Sequence, residues 1–193
     1  MFQVALTVTS LGVLLMIVGC TTTRRITNTS ATALQQLLGT QAIDRAVQKL
    51  SWPDVQGKTV YVQIASPGEW GDQAYLRQVV GTELAQRGAI VSDDSSHSQY
   101  VMTVLAGALG TDQTEVFFGL PAVQSVVVPL ALPEMAIYKS EEQEGFARTE
   151  TVTTDSQHGG IVYRAGPTQG RTYAHTRKIF FVGWYNTDTT RDQ

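Results

Sequence analysis

Apolar residues recur at helical spacing in two stretches of the first half of the chain. From Ala31 to Leu50 they return every three or four positions, which predicts helix. Gly39-Thr40 is expected to break this helix in two, with Thr40 as the N-cap of the second piece. From Gln73 to Arg87 the apolar residues again share one helical face, and Gly88 stands where a left-handed C-terminal cap belongs.

Segments with a strand pattern alternate with these helices and continue after them. They are Thr59–Ala65, Ile90–Val91, Tyr100–Leu109, Gly145–Thr154, Ile161–Ala165 and Thr172–Trp184, the last with Ile179–Val182 as a buried strand. Polar turns are predicted at Asp93–Ser96, Gly110–Asp112, Glu141–Glu144 and Asp155–Gly160. This order predicts an α+β fold. We expect a small mixed or antiparallel sheet, built as strand, helix, strand, strand and then a hairpin, with helices on one face and N-terminal helices before it.

The stretch from Val116 to Tyr138 is unusual because it is long and apolar and has one charge, Glu134. Its three prolines exclude one straight transmembrane helix. Long loops in compact domains are usually functional, so core packing, a subunit interface and membrane contact all stay open here. The residues expected to form an interaction surface are Phe117, Phe118, Leu120, Pro121, Val126, Val127, Val128, Pro129, Leu132 and Pro133.

An apolar run from Val4 to Val18 leads into Gly19 and Cys20, which is the single cysteine. Gly19 supplies the small residue that a signal peptidase needs beside the scissile bond. The Cys20 thiol can carry a diacylglyceryl group as a thioether, and fatty acyl chains such as palmitate then hold the protein at a membrane. The pattern resembles that of bacterial lipoproteins, in which a residue other than Asp after the cysteine, here Thr21, implies the outer membrane.

A reversed signal anchor is the alternative interpretation of this N-terminus. No basic residue precedes the apolar run, whereas Arg24 and Arg25 follow it. By the positive-inside rule this asymmetry favours an inner-membrane anchor with the domain in the cytoplasm. The run is short for a span of about 20 residues, and Thr7, Thr9 and Ser10 dilute it, so the lipoprotein interpretation is preferred.

These signals divide the chain into a signal peptide over residues 1–19, a lipidated polar tether over 20–30 and an N-terminal helical segment over 31–57. An α+β domain follows over residues 58–185, with the apolar insert at 116–138 inside it. Residues 186–193 are expected to form a frayed tail.

Composition and motifs argue against several function classes. A formal net charge of −3 leaves no electrostatic footprint for nucleic acid. His97, His158 and His175 have no metal-ligand spacing, and the chain contains neither a Gly-x-Ser-x-Gly elbow nor a phosphate-binding glycine loop. We therefore expect no enzyme activity, no metal and no cofactor apart from the covalent lipid on Cys20.

Two sets of residues carry a resemblance to known families. Val60–Ile64, Leu84–Gly88 and Ser98–Met102 resemble the small periplasmic domain of several outer-membrane lipoproteins, such as the curli secretion channel subunit and the surface-exclusion lipoprotein of conjugative plasmids. More of the chain is similar to an uncharacterised lipoprotein family with a domain of unknown function. The stretches that carry this similarity are Ala42–Ala46, Phe118–Pro121, Leu132–Glu134, Tyr138–Lys139 and Gln143–Ala147. Neither resemblance assigns an activity to this chain.

Together these observations predict a non-catalytic lipoprotein anchored in the outer membrane and facing the periplasm. It would act as a structural, assembly or oligomerising component, and its partners would be copies of itself or another envelope protein. One alternative is a subunit of an outer-membrane pore or secretion complex. Another is a glycan- or small-ligand-binding protein that uses Trp70, Asp72 and the basic C-terminal strand. Separately, a basic face toward lipid headgroups or glycan would be formed by Arg164, Arg171, Arg177 and Lys178, and a scattered solvated face is the alternative.

Overall fold

A computed structural model of the 193-residue chain describes residues 20–26, 32–68, 73–121, 123–124, 131–132 and 134–189. Its elements are β1 (Cys20–Ile26), α1 (Ala33–Gln48), β2 (Thr59–Ala65), α2 (Gln73–Gln86), β3 (Ile90–Ser92), β4 (Tyr100–Leu120), β5 (Val123–Gln124), β6 (Ala131–Leu132), β7 (Met135–Asp155), β8 (Ile161–Ile179) and β9 (Val182–Thr187). The predicted signal peptide, residues 1–19, lies outside the described residues.

The predicted α+β fold is confirmed. The strands of the main sheet are hydrogen-bonded in the order β3-β2-β4-β7-β8-β9, and β1 also pairs with β4. Strand β2 runs parallel to both β3 and β4, whereas β8 and β9 are antiparallel, so the sheet is mixed. Strands β5 and β6 form a separate antiparallel pair.

The chain divides into two compact units. The helical unit contains the described residues within 26–112 and 143–173, together with 188–189. The strand unit contains residues 20–25, the described residues within 113–142, and residues 174–187. Strands β4, β7 and β8 therefore contribute residues to both units.

The hydrophobic core of the helical unit lies between the two helices and one face of its strands. Alternate strand residues such as Val60 and Val62 of β2 and Met102 and Val104 of β4 are buried, as the two-residue period of a strand requires. They pack with buried residues of α1 and α2, including Ile43, Val47, Leu76, Val80 and Leu84. Both helices thus cover the same face of the sheet.

Helix α1 is continuous, so the predicted break at Gly39-Thr40 is wrong. Thr32 caps its N-terminus in a capping box with Gln35. The Thr40 hydroxyl donates back to the Gln36 carbonyl at 2.9 Å and caps nothing. Gly39 is buried, and the packing of the helix face outweighs the roughly 1 kcal/mol that a mid-helix glycine costs.

Helix α1 lies directly on the backbone of β7 and β8. A Cβ atom at Gly170 would overlap the Ala42 carbonyl oxygen and come within 2.8 Å of the Ala46 nitrogen. Beside this contact, the Thr172 hydroxyl donates to the Leu38 carbonyl at 2.7 Å, and the Thr168 hydroxyl donates to the Ala46 carbonyl at 2.8 Å. On β7, a Cβ atom at Gly145 would likewise meet the Leu38 carbonyl oxygen. The helix backbone therefore rests on two glycines, and the two threonine hydroxyls hydrogen-bond to it beside them.

Three strands are longer than the sequence predicted. Gly110–Asp112 does not end β4, and Glu141–Glu144 lies inside β7 as strand rather than as an acidic turn. Gly166-Pro167 likewise lies inside β8. Contacts between β4 and β7 run in opposite chain directions, from Thr154–Val101 to Gln113–Glu141, as in an antiparallel pair. Pairing with neighbouring strands satisfies the backbone at these apparent breaks.

Both ends of the described chain are more ordered than expected. Residues Cys20–Ile26 form β1 where the sequence predicted a lipidated polar tether. At the other end, where a frayed tail was predicted, Asn186 and Thr187 belong to β9. Asp188 follows, and its carboxylate accepts bonds from the Arg45 side chain and from the Tyr173 backbone at 2.7 Å. Thr189 is buried.

Candidate functional site

The turn between β8 and β9 exposes four consecutive large apolar residues, Ile179 to Val182. The expectation that they form a buried strand is wrong, because Ile179 pairs with Val182 and leaves Phe180 and Phe181 as a two-residue turn. Phe180 is 62% exposed, and Phe181 is fully exposed, at 101%. Such exposure of adjacent aromatic side chains is costly in water and marks this turn as a candidate contact surface.

The backbone of this turn is also unusual. Phe180 has φ = 49°, the one positive value among the described residues other than glycine. A positive φ at only the first residue of a two-residue hairpin turn matches type II′, in which glycine is the usual residue. The Phe180 N–H donates to the Ile137 carbonyl at 2.9 Å, which ties the turn to β7. The turn therefore keeps an aromatic residue in a conformation that favours glycine.

Strand β9 continues the exposed apolar surface beyond the turn. Trp184 lies opposite Arg177 of β8, and Tyr185 lies opposite Thr176. Both aromatic side chains are exposed. Opposed residues in an antiparallel pair share a face, so Trp184 is on the same face as Arg177 and Val182, and Tyr185 is on the other face.

The neighbouring strand ends add three more exposed apolar side chains. Leu120 ends β4 and is 62% exposed, while Met135 and Ile137 lie at the start of β7 and are also exposed. Gly119 is adjacent to this start of β7, because a Cβ atom at Gly119 would come within 3.0 Å of the Ile137 nitrogen. We call this set of exposed residues the apolar tip, and within it Tyr185 lies on the sheet face opposite Trp184. Its members are Leu120, Met135, Ile137, Ile179, Phe180, Phe181, Val182, Trp184 and Tyr185.

The predicted interaction surface overlaps the apolar tip only in part. Leu120 and Pro121 are exposed, Phe118 is half-buried and Phe117 is buried. Residues 126–129 and 133 lie outside the described residues, and for Leu132 only its place in β6 is described. Val116 to Tyr138 is therefore not one loop, because its two ends belong to β4 and β7.

Charged groups behind the apolar tip are paired with one another. Lys139 contacts Glu115 at 3.1 Å and Glu134 at 3.2 Å. Burial lowers the pKa of Lys139, but its hydrogen bonds to the two carboxylates outweigh that effect and raise the pKa above the usual value. Arg177 reaches Glu142 at 3.4 Å. These pairs link β7 to its neighbours β4 and β8.

The basic residues considered for a headgroup or glycan surface are distributed over both units. Arg164 pairs with Glu150, and Arg171 stacks over the Phe146 ring at 5.4 Å, both within the helical unit. Arg177 and Lys178 are in the strand unit, and Lys178 is exposed. Trp70 and Asp72 lie outside the described residues.

Two histidines occupy turns. His97 contacts Asp94 at 2.6 Å, and hydrogen bonds from Ser96 and His97 lower the pKa of Asp94 to about 2. His158 contacts Asp155 at 3.2 Å in the β7–β8 turn, and backbone N–H groups lower the pKa of that carboxyl. These contacts stabilise the local turns. No group of three or more His, Cys, Asp or Glu able to hold a metal is found within the described residues.

One open cleft follows helix α2. Arg77, Gln78, Thr82 and Gln86 line it together with Asp93 and smaller neighbours. Arg77 stacks over the Tyr61 ring at 5.5 Å and reaches Asp93 at 3.3 Å. The cleft is mixed in character, because Val62, Ala85 and Val91 line it beside these polar side chains. Its charges Arg77 and Asp93 are paired.

Fold and surface together define an α+β domain that carries an exposed apolar tip on a unit built of strands. The chain belongs to a family of unknown function, DUF6655, which matches residues 14–187. This confirms the expectation of a family without an assigned function. No curated protein matches the sequence.

Solved structures show distant similarity. A single-substitution variant of the PelC dodecamer from Paraburkholderia phytofirmans has 12% identity and a TM-score of 0.36 over 69% of this chain and 82% of that one. A second PelC dodecamer from that organism has 14% identity and a TM-score of 0.35 over 90% and 86%. The LpoB C-terminal domain from Salmonella enterica has 12% identity and a TM-score of 0.32 over 67% and 94%. Similarity at this level carries no argument about function.

Within the described part of the chain, no helix combines the length and the apolar character needed to cross a membrane.

Proposed function

We propose that this protein is a non-catalytic lipoprotein of the outer membrane that acts by binding, as an assembly component of the cell envelope. The observation that carries the proposal is the apolar tip, whose nine large apolar residues are exposed on one unit. Exposed apolar surface of this extent on a folded domain marks a contact with a partner or a membrane.

The position of Cys20 supports a lipid anchor that acts on the strand unit. Cys20 is the first residue of β1, and β1 pairs with β4. A diacylglyceryl group on Cys20 would therefore be attached to the sheet without an intervening flexible segment. Several acyl chains together hold a protein stably at a bilayer, whereas one chain binds only marginally.

The chemistry of the described side chains supports a binding role rather than catalysis. The carboxyls with lowered pKa, exposed Asp94 and half-buried Asp155, are both bound within their own turns. Tyr75, whose pKa is raised to about 12 by burial and by Asp44, joins α2 to α1. Perturbed groups in such positions fix local structure and do not converge on a reacting site.

The strand ends Leu120, Met135 and Ile137 are the part of the apolar tip that we assign to contact between copies of the chain. They lie side by side on adjacent strands, so they offer a continuous row rather than single scattered residues. Burying such a row contributes about 25 cal/mol for each Å² of apolar surface.

The proposal is tested on the full chain expressed in a bacterial envelope. Intact-mass measurement should show loss of residues 1–19 and added acyl mass, and both should disappear in Cys20→Ser. Light scattering after size exclusion in mild detergent should show an oligomer that Leu120→Asp dissociates. The matched control is Ile161→Asp, because Ile161 is 68% exposed and lies in the helical unit. An intact leader with an unmodified thiol, or a monomer in every variant, would contradict the proposal.

A further inference from the structure

We propose that the turn Ile179–Val182 is a membrane contact that inserts its aromatic apex among the headgroups of an anionic lipid bilayer. The turn and the Cys20 strand belong to the same unit. The turn would give the anchored protein a fixed orientation on the bilayer, which acyl chains alone do not impose. The inference deepens the proposed function and relies on it only for the setting beside a membrane.

The apex is shaped for insertion. Phe181 has no neighbouring atoms that cover it, and Phe180 next to it is 62% exposed. Phe180 keeps φ = 49°, and the bond from its N–H to the Ile137 carbonyl holds the turn in place. Strained backbone at an exposed position points to a requirement other than stability. The requirement that fits here is two adjacent aromatic rings at the end of a hairpin.

The residues that flank the apex match the chemistry of a membrane interface. Trp184 and Tyr185 have apolar rings with a polar edge, and such side chains concentrate at the headgroup level. Lys178 is exposed and precedes the turn on the opposite strand, and Arg177 beside it pairs with Glu142 at 3.4 Å. Long cationic side chains in this position reach anionic headgroups while their stems stay apolar.

The charge of the β8–β9 hairpin favours binding to an anionic bilayer surface. Residues 174–187 contain two basic residues and no acidic residue, although the whole chain has a formal net charge of −3. The segment itself is therefore positively charged, although Arg177 pairs with Glu142 of β7 and leaves Lys178 as the exposed cation beside the turn. A bilayer that contains anionic lipid attracts such a segment.

A second copy of the chain is a weaker fit for this turn. A protruding apex would need an apolar pocket on the partner, but the described cleft along α2 mixes apolar side chains such as Val91 with the paired charges of Arg77 and Asp93. A bilayer needs no matching pocket, because acyl chains and headgroups close around an inserted side chain. The strand ends, by contrast, form a row suited to contact between copies.

Fluorescence of Trp184 tests the inference at the turn itself. The full chain with Trp52→Phe and Trp70→Phe keeps Trp184 as its one tryptophan. It is mixed with vesicles of phosphatidylcholine and phosphatidylglycerol whose acyl chains are brominated near the headgroup. We expect Trp184 to be strongly quenched and blue-shifted, and the quenching to fall several-fold in vesicles of phosphatidylcholine alone.

Substitutions in the turn test whether the turn itself, rather than the N-terminal apolar run, makes the contact with the vesicle. The double variant Phe180→Ser with Phe181→Ser should weaken the vesicle-dependent quenching by about tenfold or more, because it removes the two rings that would be buried in the bilayer. Ile90→Ser is the matched control, because Ile90 is 60% exposed and lies in the helical unit, and it should leave quenching unchanged. Equal loss in both variants would overturn the inference.

The outcomes distinguish this inference from the proposed function. Quenched Trp184 in a chain that has no acyl mass on Cys20 supports the turn contact and refutes the lipid anchor. Unquenched Trp184 in a chain that is acylated refutes the turn contact and leaves the anchor in place. A blue shift that depends on protein concentration and not on vesicles would mean that another copy covers the turn, and it would overturn the inference.

Discussion

Replacing Gly170 by alanine should destabilise the protein strongly, because this glycine lets helix α1 rest on strand β8. The added methyl group would overlap the Ala42 carbonyl oxygen and approach the Ala46 nitrogen to 2.8 Å. Backbone atoms on both sides cannot rotate away as a flexible side chain would. The helix must therefore lift from the sheet or the strand must bend.

The magnitude follows from what that movement breaks. Overpacking a close contact costs about 1–3 kcal/mol in the free energy of unfolding. Lifting α1 also weakens the bonds from Thr172 to the Leu38 carbonyl, now 2.7 Å, and from Thr168 to the Ala46 carbonyl, now 2.8 Å. Each such bond contributes about 1 kcal/mol. We expect a loss of about 3 kcal/mol, which lowers the melting temperature by roughly 6–12 °C for a domain of this size.

Urea unfolding of the full chain in mild detergent, followed by far-ultraviolet circular dichroism, measures this loss. Gly160→Ala is the control, since no heavy atom lies within 4 Å of a Cβ at that position. The control should stay within about 0.5 kcal/mol of the parent protein. A Gly170→Ala variant that behaves like the control would refute the direct seating of α1 on β8.

Three further substitutions test other contacts by urea unfolding. Phe180→Gly should stabilise the fold by about 0.5–1 kcal/mol. Relief of the left-handed φ gains about 1–2 kcal/mol, which exceeds the chain-entropy cost of glycine of about 0.5–1 kcal/mol. A loss of stability would show instead that the Phe180 ring is packed. Asp188→Ala should lower the free energy of unfolding by about 2–3 kcal/mol, because it removes the hydrogen bonds from the Arg45 side chain and the Tyr173 N–H. The control Asp93→Ala, which breaks an exposed ion pair, should lower it by less than about 0.5 kcal/mol. Burial and Asp44 raise the pKa of Tyr75 to about 12, so the stability that its neutral hydroxyl contributes is present below about pH 10 and is lost as the pH rises to about 12. Tyr75→Phe should make the free energy of unfolding fall less steeply with pH in this range, and an unchanged pH dependence would contradict the assignment.

Elements whose signals are local were predictable from the sequence. Strand β2 spans Thr59–Ala65 as expected, because its β-branched residues alternate between a buried and a more exposed face. Helix α2 ends next to Gly88, whose φ of 82° is the left-handed cap that the glycine predicted. The apolar period and the cap residue suffice in such segments, since neither depends on distant parts of the chain.

Strand lengths were not predictable, because they depend on partners far away in the sequence. Gly110–Asp112 and Glu141–Glu144 have the composition of turns, yet both continue as strand. Gln113 and Glu141 are joined by a 2.7 Å hydrogen bond across the pair. Polar residues on an open sheet face cost little, so a turn-like composition there does not end a strand.

The candidate surface was predictable in kind but not in place. Val116–Tyr138 attracted attention as an apolar segment, and its described ends do expose Leu120, Met135 and Ile137. The turn at Phe180 was missed because four successive apolar residues normally lie in a core. One sequence clue is Gly183, which directly follows the apolar run, since glycine is common beside tight turns.

The wrong prediction of a buried strand at Phe180 is informative about function. Local rules place glycine at the first turn residue and polar residues at a hairpin apex, and this chain violates both at Phe180 and Phe181. Sequences usually agree across local and global levels, and the sites that break the agreement tend to be functional. A polar turn with glycine would serve an isolated hairpin better in water. The aromatic turn is favoured where something apolar receives it, and in the membrane contact that we propose a bilayer beside the strand that begins at Cys20 would meet that condition.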